Sequence, residues 1–82
     1  MITIVPRAAA ALHAPSHTDE QRLAISNLFQ RWADEGHVQQ ITKAVILPHG
    51  RLLIFCTGYV LTEGQFDACV GVDRNGSVWA LE

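Results

Sequence analysis

The chain has 82 residues and a formal net charge of −2; 49% of its residues are hydrophobic and only 17% are charged, where about a quarter is usual. A chain this short forms one domain, 1–82, and buries only about 60–65% of the surface that its unfolded form exposes. Six basic against eight acidic residues lack the positive patch that nucleic-acid backbones require. We therefore expect a single globular domain that does not bind nucleic acid.

Neither a membrane anchor nor an export signal is evident. The longest uncharged runs, such as 52–62, are much shorter than the about 20 apolar residues that a spanning helix needs. The apolar stretch 8–14 is not typical of a signal peptide. No basic N-terminal region comes before it, and Pro6 and Arg7 interrupt what would be the apolar region. We expect a cytoplasmic protein without membrane contact, in which the two cysteines are reduced.

The N-terminal segment has two interpretations. Residues 1–5 are β-prone and are followed by Pro6, which favours a short extended segment or edge strand. Pro6 is equally suited to the first turn of an alanine-rich helix that ends near Leu12, because a helix needs no N–H at that position. Pro15 would end such a helix, and both interpretations stay open at this point.

The main helix has clear start and stop signals. Thr18 and Gln21 have the spacing of a capping box. The two acidic residues between them fall in the first turn, where the positive end of the helix dipole stabilises negative charge. Gly36 supplies a left-handed stop. Apolar residues recur at spacings of three and four at Ile25, Leu28, Phe29 and Trp32. The pattern predicts an amphipathic helix over 18–35.

Everything after about residue 42 alternates between β-prone runs and turn signals. The turns fall at 48–50, 61–64 and 73–76, and the last contains an Asn-Gly pair typical of hairpins. Four strands separated by short turns form an antiparallel meander. We therefore predict an α+β fold: one main helix on a four-stranded antiparallel sheet over 42–82, with a short extended or helical segment at the N-terminus.

Hairpin register assigns the side chains to the two faces of this sheet. If 61–64 is a four-residue loop, Val60 lies opposite Gln65 and Cys56 lies opposite Cys69. One face then faces the helix and forms the core. Its predicted members are Leu53, Phe55, Tyr59, Phe66, Val70, Val72, Trp79 and Leu81.

The reverse face is unexpectedly apolar on the first two strands. Between 36 and 62 the only charged residues are Lys43 and Arg51, and one helix cannot cover both sides of a sheet. Either the N-terminal segment 1–12 folds over this half-face or another protein molecule does, with a second copy giving a symmetric dimer. The predicted interface consists of Val45, Leu47, Leu52 and Ile54.

The two cysteines form a candidate redox pair in this register. Directly opposed residues have Cβ atoms about 4.5–5.5 Å apart, close enough to form a disulfide or to share a metal. A metal would need nitrogen ligands as well, for which His13 and His17 are the candidates. The simpler interpretation is that Cys56 and Cys69 are small, half-buried hydrophobic residues, and we predict neither a metal nor a cofactor.

No pattern indicates catalysis. The sequence contains no phosphate loop, nucleophile elbow or dinucleotide fingerprint, and nothing places His37 or His49 beside a cysteine. Asp67 and Asp73 lie on one strand about 20 Å apart, which indicates solvated charges rather than an acid–base pair. We therefore expect a protein that is not an enzyme.

Three functional hypotheses of different classes follow. The first is a small protein-binding module, an inhibitor or regulator that covers a surface and forms a homodimer through the predicted interface. An anti-defence or other mobile-element inhibitor is one example of such a small protein, and no residue of the sequence indicates it. The second is a redox- or metal-sensing protein that uses Cys56 and Cys69. The third is a small-molecule-binding domain with a pocket between helix and sheet, although a short chain needs most of its core for stability.

Overall fold

A computed structural model describes residues 2–60 and 64–81 of the chain. Two helices pack on one five-stranded mixed sheet of strand order β1-β2-β3-β4-β5, in which β1 is parallel to β2 and all other neighbours are antiparallel. In chain order the elements are β1 (Ile2–Ile4), α1 (Pro6–Leu12), α2 (Asp19–Asp34), β2 (Val38–Ile46), β3 (Leu52–Val60), β4 (Gly64–Val72) and β5 (Val78–Leu81), with a 3₁₀ turn (Pro48–Gly50) before β3. The predicted α+β class is confirmed, and the sheet has one strand more than predicted.

The additional strand comes from the N-terminal segment, where both interpretations are correct in succession. β1 adds to the edge of the sheet, and α1 begins directly after it at Pro6. Two adjacent parallel strands need a crossover connection, which α1 and α2 provide. Ala8 and Leu12 of α1 are buried in the main core. The N-terminal segment therefore packs on the same side as α2, in one cluster with Leu52 and Ile54 of the predicted half-face, whereas Val45 lies on the opposite side of the sheet.

The capping box of α2 is confirmed, and its Gln21 side chain also bonds to the turn before β3. The Thr18 hydroxyl accepts a hydrogen bond from Gln21 N at 3.1 Å, and Gln21 Oε1 accepts one from Thr18 N at 2.9 Å. The Gln21 side chain is completely buried, and its Nε2 donates to the carbonyl oxygen of Gly50 at 2.8 Å. One amide thus joins the start of α2 to the turn before β3.

The β3–β4 register differs from the prediction by one residue. Val60 pairs with Gly64 instead of Gln65, so Cys56 lies opposite Ala68, and the predicted pairing of Cys56 with Cys69 was wrong. Gly64 has a φ of +80°, a left-handed conformation that glycine adopts readily at the end of a short hairpin connection. The connection itself, 61–63, lies outside the described residues.

A bulge in β2 changes the faces a second time. The β2–β3 register shifts between Ile41 and Lys43, so Thr42 has no partner across the ladder. Arg7 Nε donates to the Thr42 carbonyl oxygen at 3.1 Å, which satisfies part of the unpaired backbone. Because the extra residue reverses the alternation, Val45 faces away from the core although Ile41 faces into it.

These two shifts decide which face is the core. Leu52 and Ile54 are completely buried beneath the helices, so they form the core and not an interface, and that part of the prediction was wrong. The predicted core residues Phe66, Val70 and Val72 of β4 lie on the core side as predicted. Leu53 and Phe55 of β3 and Trp79 of β5 lie on the other face, because the β3–β4 and β4–β5 hairpins each differ from the predicted register by one residue. Both helices and one sheet face share a single buried cluster: Ala8, Leu12, Ile25, Leu28, Trp32, Ile41, Leu52, Ile54, Cys56, Val70 and Val72.

Replacing Gln21 with alanine removes the side-chain half of the capping box, while the bond from the backbone N of residue 21 to Thr18 remains, and it leaves the half-buried Gly50 carbonyl without its side-chain donor. We expect Gln21→Ala to lower the free energy of unfolding by about 2–3 kcal/mol in urea titrations. Gln30→Ala is the matched control, because Gln30 lies on the same helix and makes only an exposed bond to Asp34. It should cost less than about 0.5 kcal/mol. Equal losses in the two variants would contradict the role of Gln21.

Candidate functional site

The sheet face opposite the helices is the first candidate site, and we call it the open face. None of the helices in the described chain lies on it. Its apolar members are half-buried: Val45, Leu53, Phe55, Cys69 and Trp79. An apolar sheet face without a covering layer is typical of a surface that another molecule buries.

Strand pairing arranges these side chains in rows. Val45, Leu53, Gly71 and Trp79 form one row across β2 to β5. The adjacent row contains Lys43, Phe55 and Cys69. Side chains in such rows are about 4.5–5.5 Å apart and support one another laterally. The open face is therefore a continuous apolar surface across four strands.

Trp79 has a defined position on this surface. Its indole ring covers Gly71 on β4, where any side chain would collide with the ring. The Arg51 guanidinium lies 5.4 Å from the ring centroid, and Arg51 Nε is 2.7 Å from Asp73 Oδ1. A cation beside the aromatic ring and an ion pair beside the cation hold Trp79 in place at one end of the face.

Charges also flank the centre of the face. On the β2 side, Lys43 Nζ lies 5.6 Å from the ring centroid of Phe55. On the β4 side, the Thr57 hydroxyl donates to Asp67 Oδ1 at 3.1 Å. Lys43 and Asp67 are both exposed. A positive group and a negative group thus border the same apolar centre from opposite sides.

The predicted interface is only partly on this surface. Val45 belongs to the open face, and Leu47 is half-buried just beyond the end of β2, whereas Leu52 and Ile54 belong to the core. Trp32 is buried as predicted, but Trp79 lies on the open face, and the Tyr59 side chain is outside the described residues. The one signal that would have indicated the observed register is Gly64, since glycine commonly ends a three-residue hairpin connection.

The cysteines do not form the predicted pair. Cys56 is in the core and its Sγ donates to the Ala68 carbonyl oxygen at 3.7 Å, while Cys69 lies on the open face. Both thiols are free. Burial raises the pKa of the Cys56 thiol to about 11, with smaller contributions from Cys69 and Asp67, and burial also raises the pKa of Cys69. The geometry on which the redox-pair hypothesis depended is absent from the described sheet.

The histidines proposed as metal ligands have other surroundings. His17 is buried and its Nε2 lies 2.6 Å from the carbonyl oxygen of Ala11, whereas His13 is exposed at the end of α1. Within residues 2–60 and 64–81, no three histidine, cysteine, aspartate or glutamate residues are grouped around a common point.

A second candidate site is a cleft on the helix side of the sheet, where a pocket between helix and sheet was predicted as an alternative. It has a volume of about 310 Å³ and lies between α2 and the edge formed by β4 and β5. Gln39 lines it and was not singled out from the sequence. The sequence feature that could have identified Gln39 is a polar residue at a core position of β2.

The raised pKa values predict slow thiol chemistry. Because the thiolate is the reactive form, both cysteines should react slowly with iodoacetamide near neutral pH, and their rates should continue to rise above pH 9. Cys56 should react at its intrinsic rate only after unfolding. The measurement is alkylation followed by mass spectrometry, with Cys69→Ser to isolate Cys56. Rapid modification of native Cys56, or an intramolecular disulfide, would contradict this expectation.

Comparison with known proteins adds no further constraint on these sites. The chain matches no protein-family model, no curated protein and no solved structure. None of the helices in the described ranges is both long and apolar enough to cross a membrane. The open face and the cleft are therefore the features of this chain that indicate a function.

Proposed function

We propose that the protein is a small non-enzymatic protein-binding module that uses the open face, and that the face pairs first with a second copy of the chain. The observation that carries this proposal is the uncovered apolar surface with Lys43 on one side of its centre and Asp67 on the other. An apolar centre with a polar rim is the usual composition of a protein interface.

The arrangement of the charges supports a symmetric dimer. Two open faces can pack about 10 Å apart, related by a two-fold axis parallel to β3. Such an axis exchanges the β2 side with the β4 side, so Lys43 of one copy comes within reach of Asp67 of the other. The apolar residues around Phe55 then pack against their own counterparts. The face is complementary to itself in both shape and charge.

The extent of the face is also sufficient. β2, β3 and β4 each have nine residues and form a surface about 14 Å wide and about 30 Å long, and the four residues of β5 widen it to about 19 Å over less than half of that length. Side chains roughen this surface and increase its area. The result approaches the about 800 Å² per partner of a standard protein interface.

The same surface provides a means of regulation. A target protein with an apolar patch and a matching charge pair would compete with the second copy for the open face. The chain would then act as an inhibitor or regulator by covering the target's surface. The buried Cys56 thiol and its raised pKa favour this binding role over thiol chemistry.

A charge in the apolar centre should dissociate the dimer. We expect wild-type protein to have twice the 9.0 kDa mass of the chain in light scattering, and Leu53→Asp to be a monomer, because burying an unpaired carboxylate is costly. Leu23→Asp is the matched control, since Leu23 is exposed on α2 on the other side of the molecule. Circular dichroism confirms that each variant is folded. A dimer that survives Leu53→Asp would show that the wrong face was chosen.

Exchanging the flanking charges tests the symmetry itself. Lys43→Glu alone and Asp67→Lys alone should each weaken self-association by at least about tenfold, because like charges then oppose each other twice per dimer. Mixing these two variants should restore association as a heterodimer, in which both pairs are complementary again. Recovery is measured by analytical ultracentrifugation.

Two results would refute this arrangement. A wild-type chain that stays monomeric at every concentration would eliminate the second copy as partner. A dimer in which neither single reversal has an effect would eliminate the two-fold axis along β3. The double variant Lys43→Glu/Asp67→Lys serves as a control, because it should dimerise as the wild type does.

A further inference from the structure

The cleft on the helix side exists because small side chains lie opposite large ones. Ala68 of β4 and Ala80 of β5 face the same side as the core, across from Leu28 and Trp32 of α2. The cleft that the two alanines border has a volume of about 310 Å³, the lower end of the range for small-molecule sites, and it is open to solvent on the side of Ala80, which is exposed. The cleft opens on the helix side of the sheet, opposite the open face, and the two sites share one lining residue, Trp79.

Gln39 supplies a polar group that needs a partner. Its side chain is only 2% exposed, and its Nε2 donates to His37 Nδ1 at 3.0 Å. Within the described residues, Oε1 of the same amide has no hydrogen-bond partner. A buried acceptor without a donor is costly, and native structures rarely retain one without a reason.

The walls of the cleft are aromatic. Trp32 lies on the helix side and Phe66 on the sheet side. Phe66 packs where Gly58 has no side chain, and it meets the His37 ring edge-on at a centroid distance of 5.9 Å. Flat aromatic walls favour a planar guest, which can stack on one ring and meet the edge of another.

Arg31 supplies a positive charge at the mouth. Its side chain is exposed on the last turn of α2 and lines the cleft. Among the described carboxylates, none forms an ion pair with it. A guanidinium in this position is suited to a carboxylate, which it can bind through two hydrogen bonds.

We propose that this cleft binds a small planar aromatic acid that also carries an N–H or O–H donor. The aromatic body lies between Trp32 and Phe66, the carboxylate pairs with Arg31, and the donor reaches Gln39 Oε1. The last torsion of a glutamine side chain is soft, so a partial turn of the carboxamide brings Oε1 toward a donor in the cleft while Nε2 stays within reach of His37 Nδ1. The ligand supplies the hydrogen bond that Gln39 lacks in the unbound chain.

The size of the chain strengthens this argument. A domain of 82 residues has little buried surface to spare, and both an unfilled cleft and an unpaired buried oxygen reduce its stability. Larger side chains at positions 68 and 80, and an apolar one at position 39, would remove both costs. Ligand binding is a function that would require both the unfilled cleft and the unpaired oxygen.

Titration of ¹⁵N-labelled protein with indole-3-acetate tests the proposal directly. This probe has an aromatic body, an N–H donor and a carboxylate. We expect Kd of about 1 mM or lower, with shifts confined to amides around the cleft. 1-Methylindole-3-acetate, which lacks the donor, and 3-methylindole, which lacks the carboxylate, should each bind about tenfold more weakly. Absence of saturable shifts with indole-3-acetate, or equal affinity for all three probes, would overturn the proposal.

Variants assign the binding to named residues. Ala80→Leu should fill the cleft and abolish binding, and Arg31→Ala, an exposed change with little effect on folding, should weaken indole-3-acetate about tenfold while leaving 3-methylindole unchanged. Gln39→Met should raise the denaturant midpoint of the unbound chain yet remove the preference for indole-3-acetate over its 1-methyl analogue. Unchanged binding by Ala80→Leu, or retention of that preference in Gln39→Met, would place the probe elsewhere and refute the assignment.

Discussion

Val60 pairs with Gly64, and this pairing determines the face on which every β3 and β4 side chain lies. Strands alternate their side chains with a period of two, so the pairing is an all-or-none choice for the whole hairpin. The observed choice buries Leu52 and Ile54 beneath the helices. The same choice leaves Leu53 and Phe55 without a covering layer, and it separates the cysteines. The core and the open face both follow from one register.

The position of α2 depends on a second contact, the Gln21 amide. By joining the helix N-cap to the Gly50 carbonyl, Gln21 holds the start of α2 over the turn before β3. The helix then runs across the sheet toward the start of β2, and Trp32 comes to lie near Phe66. The cleft beside β5 is a consequence of this orientation, since a single helix of 16 residues leaves the edge of the sheet uncovered.

The two candidate sites therefore have a common physical origin. Two short helices cover one side of a five-stranded sheet incompletely and the other side not at all. The open face is broad, flat and bordered by charges, as protein interfaces are. The cleft is narrow, aromatic and contains one unpaired acceptor, as small-molecule sites do. They lie on opposite sides of the sheet and share Trp79 of β5.

The sequence by itself determined the elements with local signals. The capping box at Thr18 and Gln21 is correct, β3 has its predicted limits, and the α+β class follows from these. It also predicted an apolar half-face that the main helix leaves uncovered, but two of the four residues named for it, Leu52 and Ile54, lie in the core. Only the tertiary structure decided which residues form that face. The bulge at Thr42 and the pairing of Val60 with Gly64 are contacts between strands, and neither local propensity nor hydrophobic alternation distinguishes two registers that both place apolar residues on each face.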